Sequence, residues 1–336
     1  MHEIVLTDRG TAYVLLYNPI EWNLSSVSGG YQGSVIDGVV QEIDIETGLV
    51  LWEWHSLDHV RVTESWVPLP PSPDTPWDYF HINALSLDAD GHLLVTARNT
   101  WGSYKVHAMT GDIIWRLNGR ASDFAMGPGT AFAFQHDTQR QPDGTISLFD
   151  NAETLTTVTG AQASRGIFLR LDEDAMTATL EREIIHETGI LSPSQGNVQL
   201  LPNGNHLVGW GSSPVFTEYG PDNEMVYNAR FRVGIQSYRA FRHEWTGIPA
   251  APPDVAMGQD AIGAPIVYVS WNGATEVAAW RVLGGSTPDA LRELAITQKQ
   301  GFETSITLSA PANWIVVEAL DDAGYVLRTS EPVAAS

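Results

Sequence analysis

Three histidines and an asparagine stand at matching points of a repeated phrase, and their types suit proton transfer or nucleophilic attack. His2 begins a run that turns at Arg9-Gly10, His81 one that turns at Asp90-Gly91, His136 one that turns at Asp143-Gly144, and Asn197 one that turns at Asn203-Gly204. An imidazole can give or take a proton near neutral pH and can attack an electrophile through its unprotonated nitrogen. Arg98 ends an otherwise apolar run, 93–97. A charge there needs a partner, so its planar fork either pairs with a carboxylate such as Asp150 or clamps an anion. Three histidines can also bind zinc, but Arg98 among them would repel a cation, and no metal is expected. The competing reading is that the repeat fills an equivalent buried slot with the same residue type. The other histidines, at 55, 59, 92, 107, 186, 206 and 243, share no register and read as surface or turn residues.

The elements that must hold these residues are short strands. After each turn comes a second apolar run, at 12–18, 93–99, 145–151 and 206–210. Beyond it lies an outer pair, clearest at 39–54 around Thr47-Gly48 and at 104–117 around Thr110-Gly111. Four-stranded units recurring in this way are the signature of a β-propeller, whose innermost strands line a central channel. The fold class is therefore all-β, with at least four blades visible over residues 1–247. Residues at the starts of the inner strands should converge on one small volume. Strand alternation puts His81 and Asn83 on one face, and turns Asp137 away from His136 and Glu3 away from His2. Loops at 23–38, 60–76, 120–129 and 151–164 are expected to roof the site. The segment 234–245 reads as a strand that closes the ring, and the proline-rich stretch within 248–263 as a linker. Short alternating strands over 264–336 suggest a small sandwich of the fibronectin type III kind.

Composition narrows the function classes. The 336 residues carry a net charge of −22, which disfavours nucleic acid and anionic membrane surfaces, since both call for clustered Lys and Arg. With no cysteine there is no thiol nucleophile, thiolate metal site or disulfide. No apolar run is long enough to span a membrane, and no signal peptide precedes the first repeat.

A set of ordered phrases carries a resemblance over essentially the whole chain. His2-Glu, Asp78-Tyr-Phe-His81-Ile-Asn83, Val95-Thr-Ala-Arg98, Gly111-Asp-Ile-Ile-Trp115, Phe134-Gln-His136-Asp, Ser147-Leu-Phe-Asp150-Asn151, Ser164-Arg165-Gly166 and Leu191-Ser-Pro-Ser-Gln-Gly-Asn197 are similar to the arylsulfotransferase family. The closest likeness is to its actinobacterial and fungal branch, which appends a C-terminal sandwich. That resemblance implies a six-bladed propeller that moves a sulfuryl group from an aryl sulfate ester to a phenol, without a nucleotide donor or other cofactor. It implies His136 as the nucleophile that becomes sulfated, with His81, Arg98 and His2 as further catalytic residues. Asn83, Asn197 and Arg165 fall in the same motifs as substrate-binding candidates. Asn99 departs from the pattern, because the characterised enzymes have a histidine after the arginine. Relatives begin well upstream of His2, so one or more blades are expected to be missing, and family kinship implies a secreted or cell-envelope location. The alternative functions are a non-catalytic propeller that binds a partner, a hydrolase that releases sulfate and, more remotely, a quinone-dependent dehydrogenase.

Overall fold

The computed structural model describes residues 2–27, 33–72, 74–152 and 162–334. Two compact units divide the chain, Met1–Arg242 and His243–Ser336. Among the described residues the first holds four blades of antiparallel strands. Blade one is β1 (Ile4–Leu6), β2 (Thr11–Trp22), β3 (Gly33–Asp44) and β4 (Val50–His55); blade two is β5 (Ile82–Leu87), β6 (Leu93–Ala97), β7 (Gly102–Val106) and β8 (Ile113–Leu117). In blade three, β10 (His136–Arg140), β11 (Ile146–Asp150), β12 (Arg165–Asp172) and β13 (Thr177–Ile185) are joined by β9 (Ala125–Met126), which lies parallel to β13. Blade four is β14 (Asn197–Leu200), β15 (His206–Gly209), β16 (Val215–Tyr219) and β17 (Met225–Arg230). The all-β propeller architecture read from the repeats is therefore the architecture of this unit.

Alternation along the strands explains why blades stack. In β6, Leu93 and Val95 join Tyr13, Leu15, Trp54 and Phe80 in a core between blades one and two, whereas Leu94 faces the other way and joins Ile146, Leu148 and Ile167 between blades two and three. Phe149 and Phe168 repeat the device one blade on, meeting Val198, Val208 and Trp210. Successive side chains of a strand feed opposite seams, and each large apolar side chain fully buried there contributes about 1.5–3 kcal/mol. Polar ties reinforce the seams: Trp54 Nε1 donates to Gly111 O at 3.0 Å, and Gln135 Nε2 donates to Ala97 O at 3.1 Å and to Gly102 O at 2.9 Å.

Several expectations are corrected. The segment 234–245 adds no strand. Instead it runs beside β14, with the side-chain amide of Asn197 exchanging two 2.8 Å hydrogen bonds with the backbone of Ala240. The loop 120–129 contributes β9 to the outer edge of blade three, far from the inner strands. The loop 60–76 does reach inward, where Trp66 N–H donates to Asn99 O at 2.8 Å. Residues 28–32, 73 and 153–161 of the expected roof lie outside the described residues.

In the second unit, β18 (Asp254–Gln259), β19 (Pro265–Ser270) and β22 (Glu303–Thr307) form one sheet. β21 (Leu291–Gln298), β20 (Ala279–Gly285), β23 (Trp314–Leu320) and β24 (Val326–Thr329) form a second, with β25 (Val333–Ala334) also paired to β23. Val267, Val269 and Ile306 of the first sheet share a core with Trp280, Val282, Ile315 and Val317 of the second. Residues 254–259, read as linker, are thus a strand of this sandwich. Among the described residues no helix is long and apolar enough to cross a membrane.

Candidate functional site

The inner strands bring the histidines together, but not at equivalent positions. His136 and Asn197 are the first residues of their ladders, paired with Phe149 and Gly209. His81 lies one step before its ladder, opposite Arg98, whose N–H donates to His81 O at 2.9 Å. Its φ of +54° is left-handed, and the pairing shifts at Asn83, so strand alternation does not carry His81 and Asn83 to one face. A side-chain-bearing residue in that region costs of order 1–3 kcal/mol, which the hydrogen bonds of the turn must offset.

His2, Tyr17 and His81 form a triangle of rings with centroids 5.2–5.5 Å apart. Tyr238 stands between this triangle and His136, with its ring 5.4 Å from His2 and 6.1 Å from His136, and its hydroxyl donates to Asn83 O at 2.9 Å. Burial raises the pKa of both phenols, Tyr17 and Tyr238, so both stay protonated. His2 is lowered to about 4 by burial and by His81 beside it.

His136 is 2% exposed, and its tautomer is fixed from both ends. Asn151 Nδ2 donates to Ser192 O at 2.8 Å and to Gln195 O at 2.9 Å, which turns Oδ1 toward His136 Nδ1 at 2.7 Å. An amide oxygen only accepts, so Nδ1 carries the proton. At the other end Gln195 N–H donates to Nε2 at 3.1 Å, and a backbone N–H only donates, so Nε2 holds the lone pair. Burial lowers this imidazole to about 3, leaving it neutral. It is an unprotonated nitrogen whose lone pair is taken by one backbone donor.

Arg98 is half-buried. Its Nη1 donates to Asn99 Oδ1 at 3.0 Å, its Nη2 to Pro193 O at 3.1 Å, and its guanidinium lies 4.3 Å over the Phe134 ring. The pairing with Asp150 considered from the sequence belongs to another residue. Arg165 takes Asp150 Oδ2 at 3.0 Å, Glu183 Oε2 at 2.8 Å and Ala131 O at 2.9 Å, so its three guanidinium nitrogens are all engaged in holding blade three. Asn197 is likewise committed to Ala240, and Asn83 Nδ2 donates to Gln135 O at 2.8 Å across the seam between blades two and three. Arg165 and Asn197 are therefore structural ties, whereas Asn83 is tied through Nδ2 alone and its buried Oδ1 has no hydrogen-bond partner among the described residues. Phe80, Trp77 and Trp101, aromatic rings near the motifs, are buried in the packing. His186 and His206, read as surface or turn residues, are also buried.

Sequence reasoning missed six contributors, Tyr17 and Tyr238 among them. Asp78 Oδ2 is hydrogen-bonded to His81 Nδ1. Asn151 and Gln195 hold His136, and Arg239 pairs with Glu3 Oε2 at 2.6 Å and lies 3.4 Å from Asp137 Oδ1. Asp78, Asn151 and Gln195 all sit in quoted phrases, where their motif positions were the available signal. Arg239 and Tyr238 follow the last repeat, and no periodicity marks them. Among the described residues no group of three or more His, Asp or Glu side chains is arranged to hold a metal.

The family model described as Arylsulfotransferase (ASST) matches residues 1–232, which contain every residue of this site except Tyr238 and Arg239. The chain belongs to the arylsulfotransferase family. No curated protein matches it. Among solved structures, virginiamycin B lyase from Staphylococcus aureus is similar at 12% identity, covering 99% of this chain and 83% of its own, with a TM-score of 0.35. A Bacteroides caccae protein of unknown function has 12% identity, coverage of 95% and 93%, and a TM-score of 0.34. The Dos1 propeller has 10% identity, coverage of 91% and 67%, and a TM-score of 0.37. Likenesses at these scores carry no argument about this arylsulfotransferase-family chain.

Proposed function

We propose that this protein transfers a sulfuryl group from an aryl sulfate ester to a phenol through a sulfohistidine at His136, in two successive half-reactions. The observation that carries the reading is the protonation state of His136: neutral, with its proton on Nδ1 and its lone pair on Nε2. In the first half-reaction the Nε2 lone pair forms a bond to sulfur as the bond from sulfur to the aryl oxygen breaks, and that oxygen leaves with the electron pair. The positive charge that develops on the ring is met at Nδ1–H by Asn151 Oδ1. For this to occur the Gln195 N–H must leave Nε2, after which that N–H and the Arg98 guanidinium, exchanging its present acceptors for substrate, donate to the sulfuryl oxygens. His81 gives a proton to the leaving oxygen, and in the second half-reaction takes the acceptor's proton as the phenol oxygen bonds to sulfur and the bond from sulfur to His136 Nε2 breaks, its electron pair returning to the imidazole.

The test is phenol release from a chromogenic aryl sulfate with and without a phenol acceptor, run beside His136→Ala. Acceptor-dependent release that disappears in the variant is the expected result. Release that is independent of acceptor makes the protein a hydrolase, and unaltered behaviour of His136→Ala removes His136 from the chemistry and leaves a binding role.

A further inference from the structure

His136 and His81 have different partners at Nδ1. His136 Nδ1 meets a neutral amide oxygen, that of Asn151, whereas His81 Nδ1 meets the Asp78 carboxylate. Environments that separate two like groups in this way assign them different tasks. From this contrast, and resting on the sulfuryl-transfer reading, we infer that Asp78 is the positioning residue that makes His81 the acid and base of the reaction. A carboxylate only accepts, so the shared proton belongs to His81 Nδ1 and His81 Nε2 is left to exchange the proton in transit. Asp78 also compensates the charge the ring carries while it holds that proton.

The surrounding bonds show that this pair is built into the site. Asp78 and His81 span the turn that enters β5, with His81 in the left-handed region. Asn99 Nδ2 donates to Asp78 O at 2.6 Å while Asn99 Oδ1 accepts from Arg98 Nη1 at 3.0 Å. Asn99 N–H donates to Phe80 O at 3.0 Å. Asn99 thus ties the arginine and the carboxylate turn into one unit, which gives a use to the position where this chain departs from the family pattern. The other oxygen of Asp78, Oδ1, is buried with no hydrogen-bond partner among the described residues, so the side chain's hydrogen bonding is directed at His81 alone. The dependence on leaving group separates this role from a structural one, because a proton donor matters for an ester of a weakly acidic phenol and little for one whose phenolate leaves readily.

The experiment uses the full chain and its Asp78→Asn and Asp78→Glu variants, with phenyl sulfate and 4-nitrophenyl sulfate as donors, and nitrogen NMR on histidine-labelled protein. Asp78→Asn is expected to lower kcat/KM for the donor, which reports the first half-reaction alone, by about 100-fold or more with phenyl sulfate, the scale of general acid catalysis, and by no more than about 3-fold with 4-nitrophenyl sulfate. Asp78→Glu should recover part of the loss. His81 in the unaltered protein should show the Nδ1–H tautomer when neutral, and Asp78→Asn, which can offer an N–H to Nδ1, should shift it toward Nε2–H. Equal losses for the two donors, or an Nε2–H tautomer in the unaltered protein, would overturn the assignment. If the unaltered protein transfers no sulfuryl group, the sulfuryl-transfer reading is what falls, and the tautomer measurement alone decides whether Asp78 holds His81.

Discussion

At the residue scale, the site is a set of hydrogen-bond donors and acceptors that leave each imidazole one defined form. Asn151 makes this concrete, since it serves two carbonyls with Nδ2 and His136 with Oδ1. Asn151→Ala leaves a buried Nδ1–H without an acceptor, a cost of about 1–3 kcal/mol. Sulfuryl transfer should fall by roughly 10- to 100-fold, read as kcat/KM with a chromogenic aryl sulfate, since each 1.4 kcal/mol is a factor of ten. An unchanged kcat/KM would mean that the amide does not hold the reacting tautomer. The sequence made the histidines visible because they recur, and Arg98 because it ends an apolar strand. It could not assign partners. Asn83, Asn197 and Arg165 belong to the same phrases as His81 and His136, yet their side chains hydrogen-bond to Gln135, Ala240 and Asp150. Which atom meets which depends on left-handed residues such as His81, Phe134 and Gln195, and those break the two-residue alternation on which a strand reading rests.

At the element scale, the segment after blade four does the work expected of a strand without being one. Tyr238 and Arg239 enter the channel because Asn197 and Gln199 of β14 hold the backbone at Ala240 and Arg242 through side-chain amides. Gly209 leaves the room for this, since a Cβ there would lie 2.8 Å from Ala240 N and against the Asn197 amide. Gly209→Ala should therefore cost about 1–3 kcal/mol, as overpacking does, and should release the segment. The check is a lower denaturation midpoint together with faster backbone exchange at Tyr238, and an unchanged midpoint would contradict it. Arg165→Gln offers a second element-scale test, because it strands the fully buried Asp150 carboxylate between β11 and β12. It should cost about 3–5 kcal/mol in chemical denaturation. Hairpins of the blades were legible, since each carries its own turn residues and apolar alternation. The segment at 234–245 was not, because its pairing runs through side chains and leaves no periodic trace.

At the scale of the first unit, pH acts through groups buried in one protonation state. Burial lowers His136 to about 3 and His2 and His206 to about 4, so as pH falls below 6.5 the unfolded chain takes up protons that the folded chain refuses. Asp137, raised to about 6 by burial, works the other way, holding in the folded chain a proton that the unfolded chain binds only near 3.8. Asp150, Glu64 and His55, whose pKa values are also raised, act with Asp137, while Asp88, Asp90 and Glu42, whose values are lowered, act with the histidines. The three histidines are displaced furthest within this window, so the thermal midpoint should fall from pH 6.5 to pH 4, and a flat or rising midpoint over that range would contradict it. The repeat made the blade count readable, whereas the convergence of Tyr17, Tyr238 and Arg239 on the histidines is a property of the assembled channel and of no single segment. That convergence has a mechanical side. His2, His81 and His136 come from three different blades, and Gln195 and Tyr238 from a fourth and the segment beside it, so a molecule grasped by all of them acts as a drawstring. Its binding free energy is stored as cohesion between blades, about 2.7 kcal/mol at a concentration one hundred times Kd. An occupied channel should therefore resist proteolysis and heat across every seam at once, well beyond the few side chains the ligand touches.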